Sequence, residues 1–166
     1  MENRSDLLKK TLKYVNKGKV LELGCGTGEN AVYLTLKGFK VTGLDLSKQF
    51  IHKCKNLAEI YDVHKNIIFM EKDIVQFEYS EKYDLIISDF VFHFLEKDEI
   101  DIVIKNMKEN TVVGGLNSVS VFNESNPDRF IHNFIKDELK NYYSGWQILE
   151  YESLKGHDFI IAKKIS

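Results

Sequence analysis

At 166 residues the chain has room for one domain around one core, and none for a second substrate domain of ordinary size. Its 23 lysines and arginines nearly balance 25 aspartates and glutamates, leaving a net charge of −2, which excludes a surface built to neutralise nucleic-acid phosphates. Only Arg4 and Arg129 can form bidentate clamps, and Cys25 and Cys54 make no C-x-x-C pattern, so neither a disulfide framework nor a zinc site is expected.

The charged N-terminus lacks the apolar core of a signal peptide. Leu85 to Leu95, the most apolar stretch, is too short to span a bilayer and is interrupted by Asp89 and His93. A cytoplasmic location without a membrane partner is the expectation.

In chain order, Leu7, Leu8, Leu12 and Val15 predict an amphipathic first helix. Lys19 to Leu23 is a short apolar run ending on glycines, the pattern of a buried strand. Glu29 to Lys37 reads as a helix stopped by Gly38. Lys40 to Leu44 is a second strand, and Ser47 caps a helix running to about Asp62. Asn66 to Met70 and Tyr83 to Ser88 are further strands. Glu96 to Glu109 is helical, Leu116 to Phe122 a strand, and Lys136 to Tyr143 a helix. Trp146 to Tyr151 and Asp158 to Lys163 complete the strands. This alternation predicts one domain over residues 1–166, with a mostly parallel sheet and helices on both faces. The last two strands follow each other so closely that one is expected to run antiparallel at the edge.

In such a sheet ligands sit beyond the carboxyl ends of the strands, where the strand order switches. Four predicted strand ends carry polar residues: Glu22-Leu23-Gly24-Cys25-Gly26-Thr27-Gly28, then Asp45, Asp73, and Ser88-Asp89. Glycines let a ligand approach the first loop, and Asp45 lies where a carboxylate can accept hydrogen bonds from ribose hydroxyls. The spacing G-x-G-x-G differs from the dinucleotide fingerprint, and Glu29 at the helix start would repel a pyrophosphate. Acidic Glu22, Glu29 and Asp45 suit a cationic ligand without phosphate, and S-adenosylmethionine (SAM) is such a ligand. An NAD(P)-dependent oxidoreductase is the disfavoured alternative.

Val20 to Gly28 resembles motif I of the class I SAM-dependent methyltransferases. Gly28-Glu29-Asn30-Ala31-Val32-Tyr33-Leu34, Asp45, Phe94-Leu95-Glu96, Glu138 to Tyr143 and Gly145-Trp146 are similar to the tellurite-resistance (TehB-type) methyltransferases. The resemblance implies the α/β, Rossmann-like class I methyltransferase fold, with a mostly parallel seven-stranded sheet containing one antiparallel strand. It implies SAM as cofactor. Glu22, Gly24, Cys25, Gly26, Gly28 and Asn30 would hold its methionine end. Asp45 would bind the ribose, Leu46, Asp73 and Ile74 the adenine, and Asp89 and Phe90 the sulfonium side. The chain departs from that family at Glu29, where an arginine is usual, in the segment before Ser5, and in the short connection Ser153 to Gly156.

Methyl transfer needs orientation and water exclusion more than a triad or a metal cluster, and neither is expected. Phe90 to Phe94 places aromatics and His93 on the acceptor side; His93 is the candidate catalytic residue, or else a hydrogen-bonded structural histidine. No Asn/Asp-Pro-Pro-aromatic motif follows the fourth strand. The expected acceptor is therefore a small molecule, such as a thiol or a chalcogen oxyanion, with no nucleic-acid partner. Asn123 to Phe134, with Pro127, Arg129, Phe130 and His132, is a candidate lid. Cys25 reads as a small loop filler and Cys54 as packing. A SAM-binding module without catalysis is the third reading.

Overall fold

The computed structural model describes residues 5–128 and 130–166; Arg129 of the expected lid lies outside the described residues. Strands β1 (Lys19–Leu23), β2 (Lys40–Asp45), β3 (Ile67–Glu71), β4 (Tyr83–Asp89), β5 (Thr111–Phe122), β6 (Gln147–Leu154) and β7 (His157–Lys163) form one sheet. Its spatial order is β3-β2-β1-β4-β5-β7-β6. The helices are α1 (Asp6–Thr11), α2 (Glu29–Leu36), α3 (Lys48–Ile60), α4 (Lys97–Glu109) and α5 (Glu138–Tyr142). This is the class I methyltransferase fold, mostly parallel, with β7 antiparallel to both neighbours.

Strand alternation sorts the core onto two faces. Val20, Leu85, Ile87 and Ile161 point toward α1, α2 and α3 with Leu8, Val32 and Leu34. Their neighbours Leu21, Ile86 and Ile160 point the other way, against Ile100, Val103, Ile104 and Met107. Those four recur at helical spacing and give α4 one apolar stripe. A capping box between Glu96 and Glu99 fixes the start of that helix, and Ser47 Oγ accepts the Phe50 N–H at the start of α3.

One strand's place in the sheet differs from the sequence reading, as do the starts of β5 and α5. The antiparallel strand is not the edge strand: β7 slots between β5 and β6, and β6 takes the edge. Asp158 to Ala162 are all buried, as an interior strand requires, whereas no residue of β6 is buried. The crossover through α5 makes β6 parallel to β5, and the tight turn Lys155-Gly156 returns β7 into the gap. β5 starts at Thr111 because its first residues pair with Tyr83 before a register break realigns Leu116 with Leu85. α5 starts at Glu138 because Asp137 has a left-handed backbone, φ +61°. β1 and β4 are neighbours where the winding reverses, so the ends of β1, β2 and β4 open onto one side.

Candidate functional site

The loop after β1 is shaped by its contacts. Gly24 has φ +69°, and a Cβ there would lie 2.4 Å from Val91 Cγ2. Gly28, at φ +83°, is the N-cap of α2, and a Cβ there would lie 2.8 Å from Cys54 Sγ. Asp45 holds this loop to the start of α3: its Oδ2 accepts the Gly26 N–H at 2.9 Å and its Oδ1 accepts the Ser47 N–H at 2.8 Å.

Two adjoining cavities share Gly24, Gly26 and Asp89 and form one groove. The first, about 470 Å³, is walled by Asp45, Leu46, Phe50, Asp73, Ile74, Phe90 and Phe94 among others. The second, about 390 Å³, is walled by Ser5, Glu22, Cys25, Thr27, Glu29 and Asn30. Leu46 is 73% exposed on the rim, available to an apolar ring. One oxygen of Asp73 accepts the Val75 N–H, which fixes the carboxylate.

The groove is acidic over most of its length. Glu22 is 3% exposed, and burial pushes its carboxyl up to about 8, with the Asp89 charge adding to the shift and a hydrogen bond from Asn30 opposing it. Glu22 Oε2 and Asp89 Oδ1 are buried with no hydrogen-bond partner among the described residues. Two orphaned acceptors, Asp89 where the cavities meet and Glu22 in the second of them, fit a ligand that carries positive charge.

On the acceptor side Phe90 has φ +54°, a strained conformation for a non-glycine residue, and its N–H is held by Ser120 O at 3.1 Å. Its ring stacks on Phe122 (4.6 Å between centroids), which stacks on Phe130 (4.7 Å). His93 is 4% exposed, with Phe94, Phe130 and Phe122 at 3.9, 4.3 and 4.8 Å. Burial lowers its pKa and keeps it neutral, and its Nδ1 has no partner among the described residues. The expected lid is fastened at both ends: Glu124 N–H donates to Phe134 O, Ile131 N–H to His93 O, and His132 Nε2 lies 3.0 Å from Glu138 Oε1.

The structure brings Glu22, Gly24, Cys25, Gly26, Asn30, Asp45, Leu46, Asp73, Ile74, Asp89 and Phe90 to the groove. Gly28 lies behind the loop against Cys54, and His93 lies behind the wall formed by Phe90 and Phe94. The structure also brings Ser5 to the methionine-side wall, and Phe122 and His157, whose ring is 5.7 Å from Phe90, to the aromatic side. They come from distant elements with no local motif. No group of three or more histidine, cysteine or carboxylate side chains able to hold a metal occurs among the described residues. No helix among them is long and apolar enough to cross a membrane.

Comparison with known proteins adds the following. The pattern of the family described as "Tellurite resistance protein TehB" matches residues 2–159. A relative from Haemophilus influenzae, "Probable S-adenosyl-L-methionine-dependent methyltransferase TehB", is 38% identical over 148 residues, covering 87% of this chain and 51% of the relative. The chain thus spans about half the length of the curated relatives it matches. The crystal structure of TehB from Haemophilus influenzae superimposes with a TM-score of 0.92 at 31% identity, over 99% of this chain and 63% of that one. The N-methyltransferase NodS from Bradyrhizobium japonicum, solved with S-adenosyl-L-homocysteine (SAH), shares the fold with a TM-score of 0.83 at 19% identity, over 96% of this chain and 84% of that one.

Proposed function

We propose, on the premise that the chain belongs to the TehB family of tellurite resistance proteins, that it is a SAM-dependent methyltransferase acting on a small-molecule acceptor. The observation that carries the reading is the pair of orphaned acceptors, Glu22 Oε2 and Asp89 Oδ1, in an acidic groove behind a glycine-rich loop. A sulfonium and an ammonium would satisfy them; a pyrophosphate would be repelled by Glu29 at the start of α2.

Glu22, Asn30 and the backbone of Gly24 to Gly26 hold the methionine end. Asp45, already aligned by Gly26 and Ser47, accepts from the ribose, while Leu46 and Ile74 pack on the adenine and Asp73 meets its edge. When bound, the cofactor supplies an electrophilic methyl group. Phe90 and Phe94 exclude water from the side it faces; His93, a neutral imidazole behind those rings, accepts a proton from a protonated nucleophile only where Phe94, exposed at the rim, swings aside. A thiol fits this wall and this base. A chalcogen oxyanion is already deprotonated and asks only for orientation.

Calorimetry with SAH tests the cofactor reading. Wild-type protein is expected to bind with micromolar-range affinity, about −8 kcal/mol, without competition from NADH. Asp45→Ala is expected to lose about 1.5–3 kcal/mol, the scale of a hydrogen bond to a charged group. Unchanged affinity in that variant would place the ribose elsewhere. Mass analysis of products from a thiol panel and selenite then tests transfer. SAH binding without transfer to any acceptor would favour a binding module over an enzyme.

A further inference from the structure

Cys25 and Cys54 lie 29 residues apart on different elements, yet their Sγ atoms are 3.9 Å from each other. Both are free thiols, and both are buried. Cys25 belongs to the glycine-rich loop and lines the methionine end of the groove. Cys54 is on α3, and its S–H donates to Gly26 O at 3.1 Å. Gly28 rests directly on Cys54, so the same thiol touches the loop at two places. The backbone of Cys25 is itself anchored, with its N–H on Leu44 O at 2.8 Å. The loop is therefore sprung between a fixed main chain and the Cys54 thiol, and the roles proposed above use neither sulfur.

We propose that Cys25 and Cys54 form a dithiol modification site that a peroxide converts to an intramolecular disulfide, which draws the glycine-rich loop onto α3 and weakens cofactor binding.

The chemistry balances in two steps. The Cys25 sulfur, which opens on the groove, attacks one peroxide oxygen; an S–O bond forms, the O–O bond breaks, and the departing hydroxide takes a proton to become water. The Cys54 sulfur then attacks Cys25; the S–S bond forms, the S–O bond breaks, and the second hydroxide leaves as water with the last thiol proton. Two thiols are oxidised by two electrons and one peroxide is reduced to two waters. The Cys25 S–H hydrogen bond holds the Cys54 thiol below its ordinary pKa, which favours Cys54 as the sulfur that resolves the oxidised Cys25; the same bond and burial raise Cys25.

The structural cost follows from the distance. A disulfide bond is about 2.05 Å long, so the sulfurs must close roughly half the gap that separates them. Cys54 also loses the proton it shares with Gly26 O. That carbonyl and the Gly26 N–H on Asp45 belong to one residue, so a shift at the sulfur disturbs the carboxylate assigned to the ribose. A bound cofactor covers the groove on which Cys25 opens, so occupancy and oxidation oppose each other. This last point rests on the cofactor reading above.

The test uses reduced full-length protein, hydrogen peroxide and SAH. Treated protein is expected to lose both titratable thiols and to be about 2 Da lighter, with Cys25 and Cys54 in one cross-linked peptide. SAH should slow this conversion. The oxidised form should bind SAH at least about tenfold more weakly, with recovery in dithiothreitol. Cys54→Ser, which keeps a donor for Gly26 O, should bind SAH as reduced wild type does and should form no lighter species on treatment. Persistent thiols, oxygen adducts without the lighter species, a cross-linked dimer, or a disulfide that leaves SAH affinity unchanged would each overturn the proposal. Reduced protein that never binds SAH would instead sink the cofactor reading, and the dithiol site would then be judged on the mass and thiol counts alone.

Discussion

Replacing His93 by alanine is expected to lower turnover on a thiol acceptor about 10²–10⁴-fold, the usual contribution of a positioned base, with SAH affinity little changed. The expectation rests on a buried imidazole whose Nδ1 has no partner among the described residues. An unmet buried polar atom costs on the order of 1–3 kcal/mol, so one kept in an aromatic cluster calls for a use. His93→Phe separates chemistry from packing, because it retains a ring against Phe94, Phe122 and Phe130 while removing both nitrogens. Equal losses in the alanine and phenylalanine variants assign the effect to the nitrogens; recovery in His93→Phe assigns it to packing. Burial depresses the His93 pKa, so the wild-type rate should stay level through neutral pH and fall only below about 6.5. A selenite-type acceptor, whose nucleophilic selenium lone pair carries no proton, should show a smaller and nearly pH-independent loss.

SAH should bind more tightly to wild-type protein as pH rises toward about 8, while Glu22→Gln should lack this gain. Glu22 is pushed up to about 8 in the ligand-free fold, chiefly by burial. Binding a cation requires its ionised form, so below that pH binding must release a proton. Relative to Glu22→Gln, wild-type affinity should rise by about tenfold per pH unit, or about 10²-fold between roughly pH 6 and 8, and then level off. The amino group of SAH titrates equally against both proteins, so their ratio isolates Glu22. Calorimetry in buffers of different ionisation enthalpy should detect about one released proton in wild type and none in the variant; a flat ratio would remove Glu22 from the site. The ligand-free protein should behave in the opposite sense. A carboxyl whose folded pKa is raised stabilises the fold fully below its ordinary pKa of 4.5 and loses that contribution as pH rises to about 8. Thermal midpoints with and without SAH should therefore diverge as pH increases.

Much of this site can be read from residues that follow one another. Glu22, Gly24, Asp45, Asp73 and Asp89 close strands whose apolar runs are continuous, so their common side of the sheet follows from βα alternation alone. The order of the last two strands was less evident, although Asp158 to Ala162 reads as a two-face buried run and Glu150 to Ser153 as an edge; burial decides the order, and proximity in sequence only says that they pair. The stack of Phe90, Phe122 and Phe130 joins the ends of β4 and β5 to the lid, and each ring taken alone looks like core. The cysteines show the limit most clearly: their spacing argues against a pair, and only the packing of α3 beneath the loop brings them together. Ser5 reaches the groove wall because it caps α1, where its Oγ accepts the Leu8 N–H, and nothing in the sequence places that cap over the site.

The seam between β1 and β4 has a further consequence, for kinetics. Val20 pairs with Leu85 there, whereas β1 to β3 and β4 to β7 are each built mainly from pairings within their own half of the chain. Closing that seam costs more loop entropy than the pairings within either half, so it belongs late in folding. Glu22, Gly24 and Asp45 stand on one side of it, Asp89 and Phe90 on the other. The β1–β3 half holds most of the groove but cannot close it without Asp89 and Phe90, so SAH should slow unfolding in stopped-flow measurements while leaving the refolding rate where it was. The molecule would then assemble blind to its own cofactor and be retained by it afterwards.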